Sequence, residues 1–290
     1  MSIGFSLFAQ NIEDLVALAR HGESLGFDDA WLGEHIYAPS VLTVQHPFSG
    51  HPRPPVSGGD THIYDVWVVM GALIAATSRM TIAPGVAILP LRNPLITARA
   101  AITAHRISGG RTRLGVGIGW LPEEYAALGV PFKERASRTE EGVAILRKAF
   151  AGGEFEHSGR HYSFPMTQMT PDRVDVPILF GGTEPKALRR AALMGDGWYS
   201  PLITFENTLE VKRQIDQVRA ENGLAGKSFT YFARPKLKVD RNLLAKYRDA
   251  GFENFVVTFD MIHPESPKTT TLDHKKRVLE TCAREIGLKP

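Results

Sequence analysis

Short apolar runs alternate with segments of helical spacing along the whole chain, and this alternation constrains the fold more than any single motif. The runs are 3–8, 29–33, 80–89, 113–119, 178–181, 197–200, 229–233 and 255–259. Helical patterns follow them at 12–26, 64–77, 94–108, 134–150, 185–194, 205–222, 243–250 and 272–286. Eight strand–helix pairs with no break in composition predict an α/β chain, a single (β/α)8 TIM barrel over residues 1–290. A doubly wound open sheet is the runner-up. Its first strand-to-helix turn would want glycine, and Ala9-Gln10-Asn11 has none. Two segments depart from the repeat. A long loop, Ile36 to His62, follows strand two and is rich in Pro, Gly and His. Alternation over Gly153 to Phe164, around Ser158-Gly159, predicts a small inserted hairpin.

The 290 residues are 43% hydrophobic and 22% charged, which suits a large packed core. A net charge of +3 is too small to argue for nucleic acid. The longest apolar run, Val66 to Ala76, is too short to span a bilayer, so no membrane association is expected. Met1 to Gln10 lacks the pattern of a signal peptide, and the lone Cys282 fits a reducing compartment, so a cytoplasmic location is expected.

In such a barrel the chemistry belongs at the C-terminal ends of the strands. That rule selects Phe8, Glu34, His35, Ala87, Ile88, Gly117, Gly119, Trp120, Gly181, Gly182, Ser200 and Asp260. Glu34 and His35 can bind a carbonyl or hydroxyl or move a proton, and a histidine packed under the long loop is the alternative. Trp120 can wall a pocket or simply pack. Gly115, Gly117 and Gly119 alternate, so one strand face either crowds the barrel interior or lets a ligand lie against it. Gly181-Gly182-Thr183, with Thr183 as helix cap and Pro185 in the first turn, offers free N–H groups to a phosphate. Glu123 and Glu124 read as solvated or helix-capping, with a catalytic carboxylate there as the alternative, and Lys186, Arg189 and Arg190 read as solvated charges on an outer helix. His46, His51, His62, Asp60 and Asp65 match no metal-ligand spacing, so no metal is expected. No nucleophile elbow or P-loop occurs. A barrel aldolase would use a strand-end lysine, for which only Lys236 and Lys238 are near.

The stretch Ser108-Gly109-Gly110-Arg111-Thr112-Arg113-Leu114-Gly115-Val116-Gly117-Ile118-Gly119-Trp120 resembles the hallmark of the bacterial luciferase-like flavin and deazaflavin oxidoreductases. Arg92-x-Pro94 before it, Phe132-x-x-Arg135-x-x-Arg138-x-x-Glu141 after it, Pro177 to Gly182 and Gly195-Asp196-Gly197-Trp198 continue the resemblance in order. Within that superfamily the chain looks most like the F420-dependent branch. The resemblance implies the same barrel, a small-molecule substrate and F420 as cofactor, with an FMN-dependent two-component monooxygenase or a non-catalytic flavin-binding relative as the alternatives. It implies a cofactor phosphate at Gly181, Gly182 and Thr183. A bulge in the third strand, with a non-proline cis peptide near Gly85-Val86 or Ala87-Ile88, would support the ring, together with the glycine face at Gly117 and Gly119. His35 matches a histidine of several members. Trp120 stands where deazaflavin sugar-phosphate dehydrogenases have glutamate, which suggests a more apolar substrate pocket. A homodimer is expected from the resemblance, and a partner flavin reductase if FMN is used.

Overall fold

The computed structural model describes residues 2–8, 10–40, 42–44, 63–258 and 271–289. Most of the long loop after strand two, with His46, His51, Asp60 and His62, lies outside the described residues, as do Phe259 and Asp260.

The chain alternates as the sequence predicts. Strand β1 (Ser2–Ser6) leads to helix α1 (Ile12–Ser24), and β2 (Asp29–Leu32) to α2 (Val66–Ala76). The third run is split into β3 (Thr81–Pro84) and β4 (Ala87–Ile88), followed by α3 (Pro94–Ile107). Strand β5 (Leu114–Gly117) precedes the short α4 (Pro122–Ala127) and the long α5 (Arg135–Ala151). A hairpin of β6 (Glu154–Ser158) and β7 (Ser163–Gln168) is inserted next. Then come β8 (Ile178–Gly181), α6 (Pro185–Met194), β9 (Gly197–Tyr199), α7 (Phe205–Glu221), β10 (Thr230–Ala233), α8 (Arg241–Asp249), β11 (Asn254–Thr258) and α9 (Leu272–Ile286). The hairpin ends four residues later than the alternation suggested, at Gln168 rather than Phe164.

All the barrel pairings are parallel, in the order β3-β2-β1-β11-β10-β9-β8-β5-β4. Because β3 and β4 are pieces of one run, the nine segments make eight staves. A bridge between Ile82 and Thr112 closes the circle. The interior holds Trp31, Ala83, Leu179, Tyr199, Phe232 and Val256. Trp31 packs on Tyr199 at 4.4 Å and edge-on to Phe232 at 4.9 Å between ring centroids. A second, larger apolar layer lies between the strands' outer face and the helices, with Leu18, Leu73, Ala98, Leu146, Leu188, Ile215 and Leu279 buried on their inward stripes.

Several of the sequence motifs do structural work. Arg111, after Gly109-Gly110, donates to the carbonyls of Ile74, Thr77, Met80 and Ser108, so it satisfies the open C-terminal end of α2 and the entry to β3. Glu141 accepts from the backbone of His161 and Tyr162 and from His157 Nε2, which docks the hairpin on α5. The Arg135 guanidinium lies 3.8 Å from the Phe132 ring centroid. Asn11 is the N-cap of α1, but its side chain makes no capping bond.

Candidate active site

The third stave carries the barrel's one irregularity among the described residues, the Gly85–Val86 break. Its peptide bond is cis, at the first of the two positions expected. The break turns Val86 inward, against the interior cluster. Room for it is made by glycines on neighbouring strands. A Cβ at Gly117 would stand 2.5 Å from Val86 Cγ2, one at Gly115 3.3 Å from Cγ1, and one at Gly181 3.2 Å from Cγ1. Of the two readings of the alternating glycines on β5, the crowded interior describes Gly115 and Gly117, which face Val86. Gly115 and Gly117 are covered by Val86, and the partly exposed isopropyl group is the surface they support. Gly119 has left the strand with φ +67°, beside Ile88 and Tyr125. Tyr125 donates its hydroxyl to the Ile118 carbonyl. Gly85, Val86, Ile88, Gly117, Gly119 and Gly181 are thus brought to one side of the barrel mouth.

Glu34 and His35 follow β2 and face different partners. Glu34 is buried, 5% exposed. It accepts from the Ile88 backbone N–H at 2.7 Å and from Arg92 at 2.6 and 2.8 Å, and Arg92 also reaches Asp65 at 3.0 Å. Burial pushes the Glu34 carboxyl above its ordinary range, with the charge and hydrogen bonds of Arg92 opposing. Both oxygens are occupied in holding β4 to β2, so Glu34 positions the bulge.

His35 points to Glu124. Its Nδ1 is 3.1 Å from both carboxylate oxygens, and the Ile36 N–H donates to the same carboxylate at 2.5 Å. Glu124 is 0% exposed. This overturns its reading as a solvated or capping residue. It sits in the first turn of α4, but the loop after β2 covers it. Its neighbour Glu123 accepts from the backbone and hydroxyl of Thr43, at 2.8 and 2.7 Å. A carboxylate can only accept, so in this pair Nδ1 carries the proton and Nε2 takes no part in it. Among the described residues nothing bonds to Nε2. The imidazole stands between two aromatic rings, Phe8 at 6.1 Å and Trp120 at 6.0 Å and nearly perpendicular. Phe8 reaches it because Gly33 has no side chain: a Cβ there would be 2.3 Å from the Phe8 ring. Beside the imidazole, Leu7, Gln10, Leu32 and Tyr64 help enclose a cavity of about 30 Å³, enough for one water molecule.

Next to β5, Gly181 ends β8 and Gly182 takes φ +104°. The N-cap of α6 is Glu184, not Thr183 as expected, and it makes no side-chain cap bond. Thr183 falls in the turn instead, because the left-handed step at Gly182 delays the helix. Trp198 Nε1 donates to the Gly182 carbonyl at 2.8 Å. A trans peptide directs its N–H opposite to its C=O. The Thr183 N–H therefore points away from Trp198, outward at the partly exposed turn. Arg190 is not solvated: it is 8% exposed and pairs with Glu140 at 3.3 Å. Lys236 and Lys238 are exposed, and Lys238 pairs with Glu285 at 2.6 Å, so neither supports an aldolase reading. Ser200 is buried and donates to the Pro201 carbonyl.

A profile of the luciferase-like monooxygenase family matches residues 2–280. An uncharacterised protein of Mycobacterium tuberculosis is 31% identical over 279 residues, 94% of each chain. Among solved structures, the coenzyme F420-dependent tetrahydromethanopterin reductase of Methanopyrus kandleri superposes with a TM-score of 0.74 at 17% identity over 99% of both chains. A monooxygenase of Streptomyces bottropensis superposes at 0.73 and 16% identity, over 99% of this chain and 98% of that one. Both show that this is their TIM-barrel fold. The chain belongs to the luciferase-like monooxygenase family.

Proposed function

We propose that this protein is an F420-dependent oxidoreductase that transfers hydride between the deazaflavin and a small organic substrate. The observation that carries the reading is the His35–Glu124 pair, set between Phe8 and Trp120 at the end of β2. Reduction of a C=O, C=N or activated C=C bond needs one proton for each hydride. His35 Nε2 supplies or takes that proton, and buried Glu124 holds the ring and balances its charge. When bound, the deazaflavin supplies the hydride and, with carbon in place of flavin N5, reacts poorly with dioxygen.

The residues present fit such a group. Val86, held up by Gly115, Gly117 and Gly181, offers an apolar shelf for a flat ring. The Thr183 N–H, aimed outward by the Trp198 bond, and the N-terminus of α6 suit its phosphate. Gly85, Ala87 and Ile88 shape the shelf, while Gly119 keeps Tyr125 close to Ile88. Trp120 and the loop after β2 would cover the substrate and exclude water.

A second reading keeps the same site with FMN, as a monooxygenase fed by a partner flavin reductase. The near-equal likeness to a reductase and to a monooxygenase supports keeping it. A homodimer is part of the proposal, and light scattering that finds a monomer removes it. The cofactor is tested by titrating the purified protein with F420 and, separately, with FMN, followed by fluorescence. Micromolar binding of F420 with FMN ignored supports hydride transfer. Preference for FMN moves the protein to the second reading, and binding of neither rejects both.

A further inference from the structure

The other side of the barrel mouth is polar. Residues two apart on a strand share a face. Phe232 points into the barrel, so Arg234, just past β10, points into the mouth one layer higher. Its guanidinium lies 5.2 Å from the Tyr199 ring centroid. The pairing of Phe232 with Asn254 places Arg234 beside Val256, and Thr258 is next on the same face of β11.

These groups share an anomaly. Arg234 makes no hydrogen bond or ion pair among the described residues, and its Nε is buried without a partner. Among the described residues, the Tyr199 hydroxyl and Thr258 Oγ1 are likewise buried and unpartnered. Buried donors without acceptors cost free energy, and Arg234 over the Tyr199 ring, with Thr258 on the neighbouring strand's same face, has no acceptor among the described residues. The Tyr199 hydroxyl lies 2.8 Å from where a Gly85 Cβ would stand, so the cluster reaches the Val86 shelf.

We propose that Arg234, with the hydroxyls of Tyr199 and Thr258, forms a carboxylate-binding subsite, and that the substrate is a small organic acid anchored there by its carboxylate. A planar guanidinium matches a planar carboxylate through two parallel hydrogen bonds. A single arginine suits a monoanion. The apolar walls at Val86, Phe8 and Trp120 suit the rest of such a molecule. This differs from the apolar pocket that Trp120 suggests by itself. That the anion is the substrate's rests on the redox reading above; the subsite does not.

Calorimetric titration of the protein without cofactor, using benzoate and its neutral analogue benzamide, tests the subsite separately from the F420 and FMN titrations. Benzoate should bind and benzamide should not. Arg234→Met should weaken benzoate at least ~10-fold, as expected for a charged hydrogen-bonded pair, and Arg234→Lys less. In the wild type, benzoate should protect Arg234 from phenylglyoxal, read by peptide mass spectrometry, which needs no variant to fold. Equal binding of benzoate and benzamide, equal benzoate binding by Arg234→Met, modification unaffected by benzoate, or no benzoate binding would each overturn the proposal.

Discussion

His35 Nδ1 lies 3.1 Å from both oxygens of the Glu124 carboxylate, across 89 positions of sequence. One residue ends a strand of the barrel and the other opens a short helix two units later. If the pair moves a proton, Glu124→Gln should lower turnover on the order of 100-fold, within the usual range for acid–base groups. Glutamine can still accept from the Ile36 N–H, so the melting temperature should change little. Steady-state kinetics beside a thermal melt separate the two effects, and unchanged turnover would remove Glu124 from the mechanism.

The shelf depends on a missing side chain. At Gly117 a methyl group would stand 2.5 Å from Val86 Cγ2. Gly117→Ala should therefore weaken cofactor binding by ~10-fold or more, because overpacking costs about 1–3 kcal/mol. Adding Val86→Ala should restore part of it, since the two sites are in contact. Fluorescence titration of the single and double variants checks this, and no recovery in the double variant would refute the packing account.

Trp198 aims the phosphate turn through its bond to the Gly182 carbonyl. Trp198→Phe keeps the ring and removes the donor. A lost hydrogen bond of about 1 kcal/mol predicts roughly 5-fold weaker binding of F420. The deazaflavin core of F420 without its phosphate serves as the control. If the variant loses both equally, the bond has no special bearing on the phosphate.

Away from the site, Glu23 accepts from the backbone N–H groups of Ser78, Arg79 and Met80. Burial opposes its charge, but these amides and Arg79 outweigh it and hold the carboxyl below its ordinary value. The folded state therefore favours the ionised form. That stability is present above the unfolded value and is lost as pH falls through the lowered one. Glu23→Gln should cost about 1 kcal/mol near neutral pH after solvent screening, and less in acid. Melts of both proteins across pH would show a constant gap if the charge were irrelevant.

Much of the barrel was legible because its periodicities are local. Apolar runs, caps such as Asn93-Pro94 and helix-ending glycines such as Gly26 and Gly195 mark the elements directly. Pro84-Gly85 interrupts the third apolar run, and the family resemblance placed a bulge near Gly85-Val86 or Ala87-Ile88. Glu124 was misread because a glutamate in a first helical turn is usually solvated, and nothing nearby in sequence shows that the loop after β2 covers it. Arg234 gave no signal: beside Pro235, after a short strand, it looked like any loop arginine.

The sequence by itself determined the alternation, the eight staves and the strand ends where chemistry can sit, because hydrophobic spacing and turn chemistry act over a few residues. Only the tertiary structure decided which strand-end residues meet. It put Val86 on the glycines, tied Glu34 into the frame with Arg92, paired His35 with Glu124 and left Arg234 at the mouth without an acceptor among the described residues. The physical reason is barrel closure, which brings residues from distant strands to one rim and fixes their burial, and burial decides whether a charge is solvated, paired or open to a ligand.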